Sequence, residues 1–458
     1  MSDGVSKRVT LIIVSITVAV IAFMMSAITI ALPTIGKEFA MEAVLLGWVV
    51  TSMTFPQAAL LLPAGRLADI YGRKKIFFYG LCIFVISSFL CATAGSAIML
   101  IIYRLLQGIG GGLVFGTALA ILTSVFPPGE RGKALGISSA AVFLGISAGP
   151  FLGGVMTQHL GWRSIFFLNA FLCLLVLALV FYRLRGEWAE ARGEKFDVVG
   201  SIVFGISLLM MLYGLTVLPA VLGIVLIVLG VAGLLAFARL EARVASPILD
   251  IPLLRKNTVF VFSNLAMLFH ICTAFSIIFL MSLYLQYNKG FLPQTAGLIM
   301  VVQPVCTTIC TPIAGRLSDK FNPRMIAALG MALVFVSLVL FVFITEATPL
   351  GYIIAGLAVS GVGIGTFASP NANAIMNSVE MKFLGVASGM QGTMRSCGQI
   401  IGMAIVMILF SIYIGQAAIT PEYYPDFLQS ARVAFIVFAA IGFGGIFAQF
   451  AGGKARPA

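Results

Sequence analysis

Residues 65–75 read GRLADIYGRKK, and 250 positions further on residues 315–325 read GRLSDKFNPRM. Each copy follows one long apolar run and precedes another, so the chain of 458 residues is built from two similar halves. The composition identifies the solvent in which those halves fold. Hydrophobic residues make up 60% of the chain and charged residues only 10%, far outside the range of a water-soluble domain. Apolar runs long enough to cross a hydrocarbon layer, roughly 20 residues each, recur about fourteen times. They lie at 9–32, 43–64, 76–95, 97–123, 134–157, 164–183, 198–217, 219–238, 258–285, 293–314, 325–345, 350–370, 384–413 and 430–450. Continuous apolar runs bearing Gly predict helices, since the strands of a membrane barrel would alternate apolar and polar residues. The first run is too long and too well flanked for a cleaved signal peptide.

The net charge of +12 follows a membrane rule rather than a nucleic-acid footprint. If Lys7 and Arg8 lie inside, 22 of the 28 Lys and Arg fall in predicted cytoplasmic segments. The opposite loops hold only Lys37, Arg163, Lys289 and Arg432, and Arg104 and Arg395 lie within spans. That asymmetry places both termini in the cytoplasm. All seven Cys fall inside apolar runs and read as small packing residues. No metal set, no cofactor motif and no Walker run accompanies them, so neither a metal nor ATP-driven pumping is expected. No stretch outside the spans is long enough to bury a soluble core.

Gly65, Asp69, Gly72 and Arg73 match a loop motif of the major facilitator superfamily. Its first copy joins helices 2 and 3 of a six-helix half. The second copy, with Asp319, joins helices 10 and 11 here, so two helices stand between the halves. That layout resembles the fourteen-span drug:proton antiporters of the EmrB/QacA type, along essentially the whole chain. Further matches are LIIYRLLQGIGGG at 100–112, GWRSIFFLN at 161–169, and IALP at 30–33 closing the first helix. GISSAAVFLGISAGPFLGG at 136–154 matches the antiporter motif of the fifth helix at Gly136, Gly145, Gly149, Pro150, Gly153 and Gly154. The resemblance implies an all-α polytopic fold of two six-helix bundles plus two inserted helices. Residues 1–187 then form the first bundle, 188–257 the inserted helices with an amphipathic linker, and 258–458 the second bundle.

Several side chains become candidates within that frame. At 100° per residue, Ser138, Ala141, Gly145 and Gly149 share one side of the fifth helix and allow close backbone approach. The resemblance implies that this helix lies between the halves and that its Gly and Pro shape a cavity. It also implies that Asp69 and Arg73 form a cytoplasmic latch. In the second copy Asn322 and Pro323 replace the Gly and Arg; Asn tolerates positive φ, so the turn is expected to survive without a symmetrical latch. The family usually carries an Asp and then a Thr late in helix 1, where FMMSAITIALP places Met24 and Ser26. None of the sixteen Asp and Glu is predicted at mid-membrane.

Arg104 is thereby left without an acidic partner at its depth. An intramembrane Arg is costly and by default a functional candidate. Either backbone carbonyls and neighbours such as Ser26, Thr29 or Gln57 satisfy it, or it faces a cavity and meets an anionic or electron-rich substrate. His270 lies one turn from the Met24 level by the 250-residue offset and is the natural titratable carrier in the membrane, or else a structural donor. Asn264, Gln303, Asn371, Asn373, Gln399 and Arg395 complete the polar candidates. The expected function is secondary active efflux of lipophilic drugs or similar amphiphiles, neutral or anionic, by alternating access in exchange for protons. The alternative is a lipid or organic-anion exporter without proton coupling; a channel or membrane enzyme is the remote one. No catalytic cluster is present and no nucleic-acid partner is expected. The protein is expected as a monomer, spanning the cell (plasma or inner) membrane many times.

Overall fold

The computed structural model describes residues 7–184, 186–189, 191–194, 196–241, 257–318, 320–379, 384–415 and 417–451. Fourteen helices among them are long and apolar enough to cross a bilayer. They are α1 (Lys7–Glu38), α2 (Ala43–Tyr71), α3 (Arg73–Ala92), α4 (Ala97–Val125), α5 (Pro128–His159), α6 (Arg163–Arg183), α7 (Val198–Val217) and α8 (Val221–Glu241). After residues 242–256, where most of the expected amphipathic linker lies outside the described residues, come α9 (Thr258–Tyr287) and α10 (Pro293–Ser318). The chain ends with α11 (Pro323–Val342), α12 (Leu350–Met376), α13 (Leu384–Tyr413) and α14 (Tyr424–Ala451).

One expected helix end moves and one span is interrupted. IALP does not close the first helix; α1 runs through Pro33 to Glu38, where Glu38 accepts hydrogen bonds from Trp162 Nε1 and Arg163 Nη1, each at 2.6 Å. A proline removes one N–H from a helix, and neighbouring helices can tolerate it by supplying another donor. α10 is interrupted at Val301, between Pro293–Met300 and Val302–Ser318. Pro304 cannot donate to the carbonyl of Met300, four residues back, and that is where the ladder breaks.

The repeat read from the two loops recurs in the packing. In the first half α1 packs on α5 and α6, α2 on α4, and α3 on α4 and α6; in the second α9 packs on α13 and α14, α10 on α12, and α11 on α12 and α14. Even single glycines repeat. A Cβ at Gly80 of α3 would lie 3.1 Å from the Gly110 carbonyl of α4, and one at Gly330, again 250 positions later, 2.7 Å from the Gly363 carbonyl of α12. Such backbone approach is the usual way to hold helices together where lipid removes the hydrophobic drive.

The halves meet along two seams, α2 against α13 and α5 against α10, with α1 touching α9 between them. The inserted pair α7–α8 covers the first seam only, through a cluster of Phe55, Ala58 and Leu62 of α2, Phe204 and Leu208 of α7, and Cys397 and Ile400 of α13. Of the two faces of the molecule, one carries both repeated loops and is called the basic face below.

Candidate functional site

Arg104 lies inside the first half, 1% exposed. Its Nε donates to the Val49 carbonyl of α2 at 3.0 Å and its Nη1 to Gln107 Oε1 at 2.8 Å. Gln107 in turn donates to Ser88 Oγ at 2.7 Å and to the Met24 sulfur at 3.2 Å. Met24 thus stands where the family has a carboxylate, as a weak acceptor from Gln107, and one carbonyl and one amide oxygen accept from the cation. Ser26, Thr29 and Gln57 do not do so. Ser26 Oγ donates to the Ile146 carbonyl and Thr29 Oγ1 to that of Met25, while Gln57 Oε1 has no partner among the described residues. The expectation that Arg104 faces a cavity is therefore corrected: α2 and α4 approach too closely, through Gly108 and Gly112, to leave it solvent.

The glycine-rich stretch of α5 serves two neighbours. A Cβ at Gly145 would overlap the Ala19 carbonyl, one at Gly149 the Ser26 side chain, and one at Gly153 would lie 2.7 Å from Ala27, all on α1 of the same half. Gly154 and Pro150 instead meet the other half, at Pro293 and Gly297 of α10. Pro150 has no N–H for the carbonyl of Ile146, four residues back, and Ser26 Oγ donates to that carbonyl at 3.0 Å. Ser26→Ala is expected to cost about 1 kcal/mol by leaving a partly buried acceptor unpaired. Adding Pro150→Ala restores the helical donor, so a double-mutant cycle on thermal unfolding in detergent should recover most of that loss.

On the face opposite the basic one the halves are shut. Pro33 similarly frees the Thr29 carbonyl, which accepts from Ser282 Oγ of α9 at 2.8 Å, and Gln286 Nε2 donates to the Ile30 carbonyl at 3.0 Å. His159 meets Gln294 at 3.0 Å. The Ala43 N–H donates to the Ala417 carbonyl at 3.0 Å. Deeper on the α5–α10 seam, Ser147 and Thr308 hydroxyls lie 3.1 Å apart. Towards the basic face the seam loosens: Ser139 and Ala140 of α5 are exposed, and a Cβ at Gly136 would meet nothing within 4 Å.

The second intramembrane arginine has the opposite environment. Arg395 is exposed although α2, α7 and α9 all pack on its helix, which describes a side chain facing an opening between helices. His270, close enough to feel its charge, is 1% exposed and stacks on Phe367 of α12 at 3.9 Å. Neither of its nitrogens has a hydrogen-bond partner among the described residues. Asn264 Nδ2 donates to the Phe260 carbonyl at 2.9 Å, and its Oδ1 is without a partner among the described residues.

At the first loop Arg73 joins α3 to α2 and α4. Its Nε donates to Asp69 Oδ1 at 2.8 Å, and its Nη1 to the Ala120 carbonyl at 3.1 Å and to Ser124 Oγ. Gly72, at φ +114°, makes the turn, next to Gly65 and Asp69 at the end of α2. Among its described residues the second copy turns without positive φ, so the turn survives as expected but not by way of a left-handed Asn322. That residue has φ −58° and accepts from the Arg324 N–H at 3.1 Å, capping α11. Arg324 reaches the Gln449 carbonyl of α14. Asp319 lies outside the described residues.

Sequence reasoning missed the strand of chain after α6, which crosses the first loop. The Lys74 N–H donates to Glu187 at 2.9 Å, the Arg73 N–H to the Trp188 carbonyl at 2.9 Å, the Ala191 N–H to the Asp69 carbonyl at 3.0 Å, and Arg66 to Glu194 at 2.5 Å. Acidic residues every three or four positions, Glu187, Glu190 and Glu194, set against a basic loop were the available signal. Ser282 and Gln286 were missed too, although a hydroxyl or amide opposite an in-helix proline could have marked them.

A family model described as Major Facilitator Superfamily matches residues 14–247 and 263–455. The riboflavin transporter RibZ of Clostridioides difficile (strain 630) is 30% identical over 408 residues, covering 88% of each chain. The multidrug resistance protein Stp of Mycobacterium tuberculosis is 29% identical over 423 residues, 90% of this chain and 77% of that one. The tetracenomycin C resistance and export protein of Streptomyces glaucescens is 28% identical, over 91% and 77%. Among solved structures, that of the nucleoside transporter NupG superposes with a TM-score of 0.66 at 14% identity, over 98% of this chain and 100% of that one, and shares the fold. The repeated six-helix packing, the seams between halves and these matches together place the chain in the major facilitator superfamily, as a multi-pass membrane transporter.

Proposed function

We propose that the protein exports lipophilic compounds across the cell (plasma or inner) membrane by alternating access, in exchange for protons. The basic face is then cytoplasmic, with both termini there, and a monomer suffices. Residues 1–187 and 258–458 are the moving bodies, and 188–257 supply the inserted pair and linker. The observation that carries this reading is the asymmetry of the seams: shut on one face, loosening around α5 on the other, with exposed Arg395 between. The names of the Mycobacterium and Streptomyces relatives support export, and that of the Clostridioides relative supports substrates beyond drugs. The glycine and proline residues of the fifth-helix motif, Gly145, Gly149, Pro150, Gly153 and Gly154, support a helix that packs rigidly on α1 while it opens from α10.

The cargo is neutral or anionic. Every described carboxylate within a helix lies in its first or last turn, so a multivalent cation finds no counter-charge at depth. The same observation favours a second reading, export of organic anions or lipids without proton coupling, since His270, Asp69 and Asp319 are the remaining carriers. Inside-out vesicles separate the two. Under proton exchange, an imposed pH gradient drives accumulation of a lipophilic probe and a protonophore collapses it; without coupling, the probe only equilibrates, at a rate that the pH gradient does not change. Ion currents in place of accumulation would overturn the exporter reading.

A further inference from the structure

Arg395 is the twelfth residue of α13, so at 1.5 Å per residue it sits about 16 Å from the basic end of the helix and about 27 Å from the other. That is too deep for an arginine side chain to reach the interface by snorkelling. Its direction follows from the glycines beside it. At 100° per residue, Gly392 and Gly398 lie about 60° to either side. Gly392 packs on Leu61 of α2, in the first half, and Gly398 on Leu268 and Cys272 of α9, in the second. The opposite face, with Cys397 and Ile400, packs against α7. Arg395 therefore points between α2 and α9, into the space between the halves.

Two neutral polar residues continue its stripe. Gln391 and Gln399, four residues to either side, lie within about 40° of it, so the three form a ladder about 12 Å long. No hydrogen bond or ion pair joins Arg395 to any described residue, in contrast to Arg104. A guanidinium held this deep between apolar helices without a counter-charge is costly, and an anion is the ligand that offsets it, its oxygens suited to the planar fork.

We propose that Arg395 is the recognition group of the transport cavity and selects lipophilic monoanions: an apolar body bearing one carboxylate, sulfonate or phosphate. Gln391 and Gln399 hold neutral polar atoms on either side of the charge. The inference rests on the export reading for the word transport, but the site is tested by binding alone.

The test uses the purified full chain in lipid nanodiscs. Binding of naphthalene-2-sulfonate is measured beside that of 2-naphthol, neutral at pH 7, and of (2-naphthylmethyl)trimethylammonium. The wild type is expected to bind the anion at least tenfold tighter than the cation. Arg395→Gln should lose at least tenfold in anion affinity and leave 2-naphthol within about twofold, while Arg395→Lys keeps most of the anion binding. Nanodiscs with phosphatidylglycerol in place of phosphatidylcholine identify the source of the anion. A fall in sulfonate binding there that Arg395→Gln does not share makes a lipid headgroup the natural occupant, and a fall shared by both, from repulsion at the charged surface, makes it a free organic anion; either supports the site. Unchanged anion binding in Arg395→Gln, or equal loss of all three compounds in both variants, overturns it. If the anion is not selected while vesicles still export other compounds, the export reading survives; if selection holds and no compound is exported, that reading fails instead.

Discussion

Gly154→Leu is expected to lower transport by roughly ten- to a hundredfold while the protein still accumulates, folded, in the membrane. The heavy atoms that a Cβ at Gly154 would meet most closely belong to Pro293 and Gln294, across the seam between the halves. A leucine there obstructs only the state in which that seam is shut. Overpacking typically costs about 1–3 kcal/mol, and each 1.4 kcal/mol shifts a two-state equilibrium about tenfold. A cycle that must pass through both states slows by about that factor. Gly145→Leu makes the informative contrast. Its Cβ would collide with Ala19 and Phe23 of α1, within one half and in every state, so the folded yield should fall. Elution profiles in detergent and initial rates in vesicles separate the two outcomes. Equal transport by Gly154→Leu and wild type would show that closure at Pro293 is not part of the cycle.

Arg104→Ala is expected to remove about 4 kcal/mol of stability, through a buried cavity and an unpaired Gln107 carbonyl oxygen. The opposing term is relief of a desolvated charge, which in buried ion pairs can repay the whole loss when volume is kept. Arg104→Met tests which wins. It fills most of the space and removes the cation, and should unfold within about 1 kcal/mol of wild type. Thermal unfolding of the two variants in detergent, compared at equal lipid content, gives the answer. Loss of anion selectivity in Arg104→Met with stability intact would return Arg104 to the substrate path.

Much of this architecture is legible in the sequence. The two GRL loops set the halves, the apolar runs set fourteen helices, and the 250-residue offset carried over to the pairing of Gly80 and Gly330 with their partners. Where expectation and structure part, proline is the usual reason. Pro33 was read as a helix stop and is instead a place where the freed Thr29 carbonyl takes Ser282 from the other half. Pro150 is expected to help shape a cavity and is also a place where the Ile146 carbonyl takes Ser26. A proline's effect depends on whether a donor stands opposite it, and that donor is a hundred or more residues away in the chain.

The chain by itself determined how many helices cross the membrane, their order, and the twofold repetition of the bundle. In hydrocarbon each helix must satisfy its own backbone, so length and apolarity suffice to define it. Only the tertiary structure decided which way each helix turns, because helices apolar on every side carry no stripe that says which face meets water. Arg104 and Arg395 make the point: two arginines in two apolar runs, equivalent as text, of which packing seals one among carbonyls and leaves the other facing the gap between the halves.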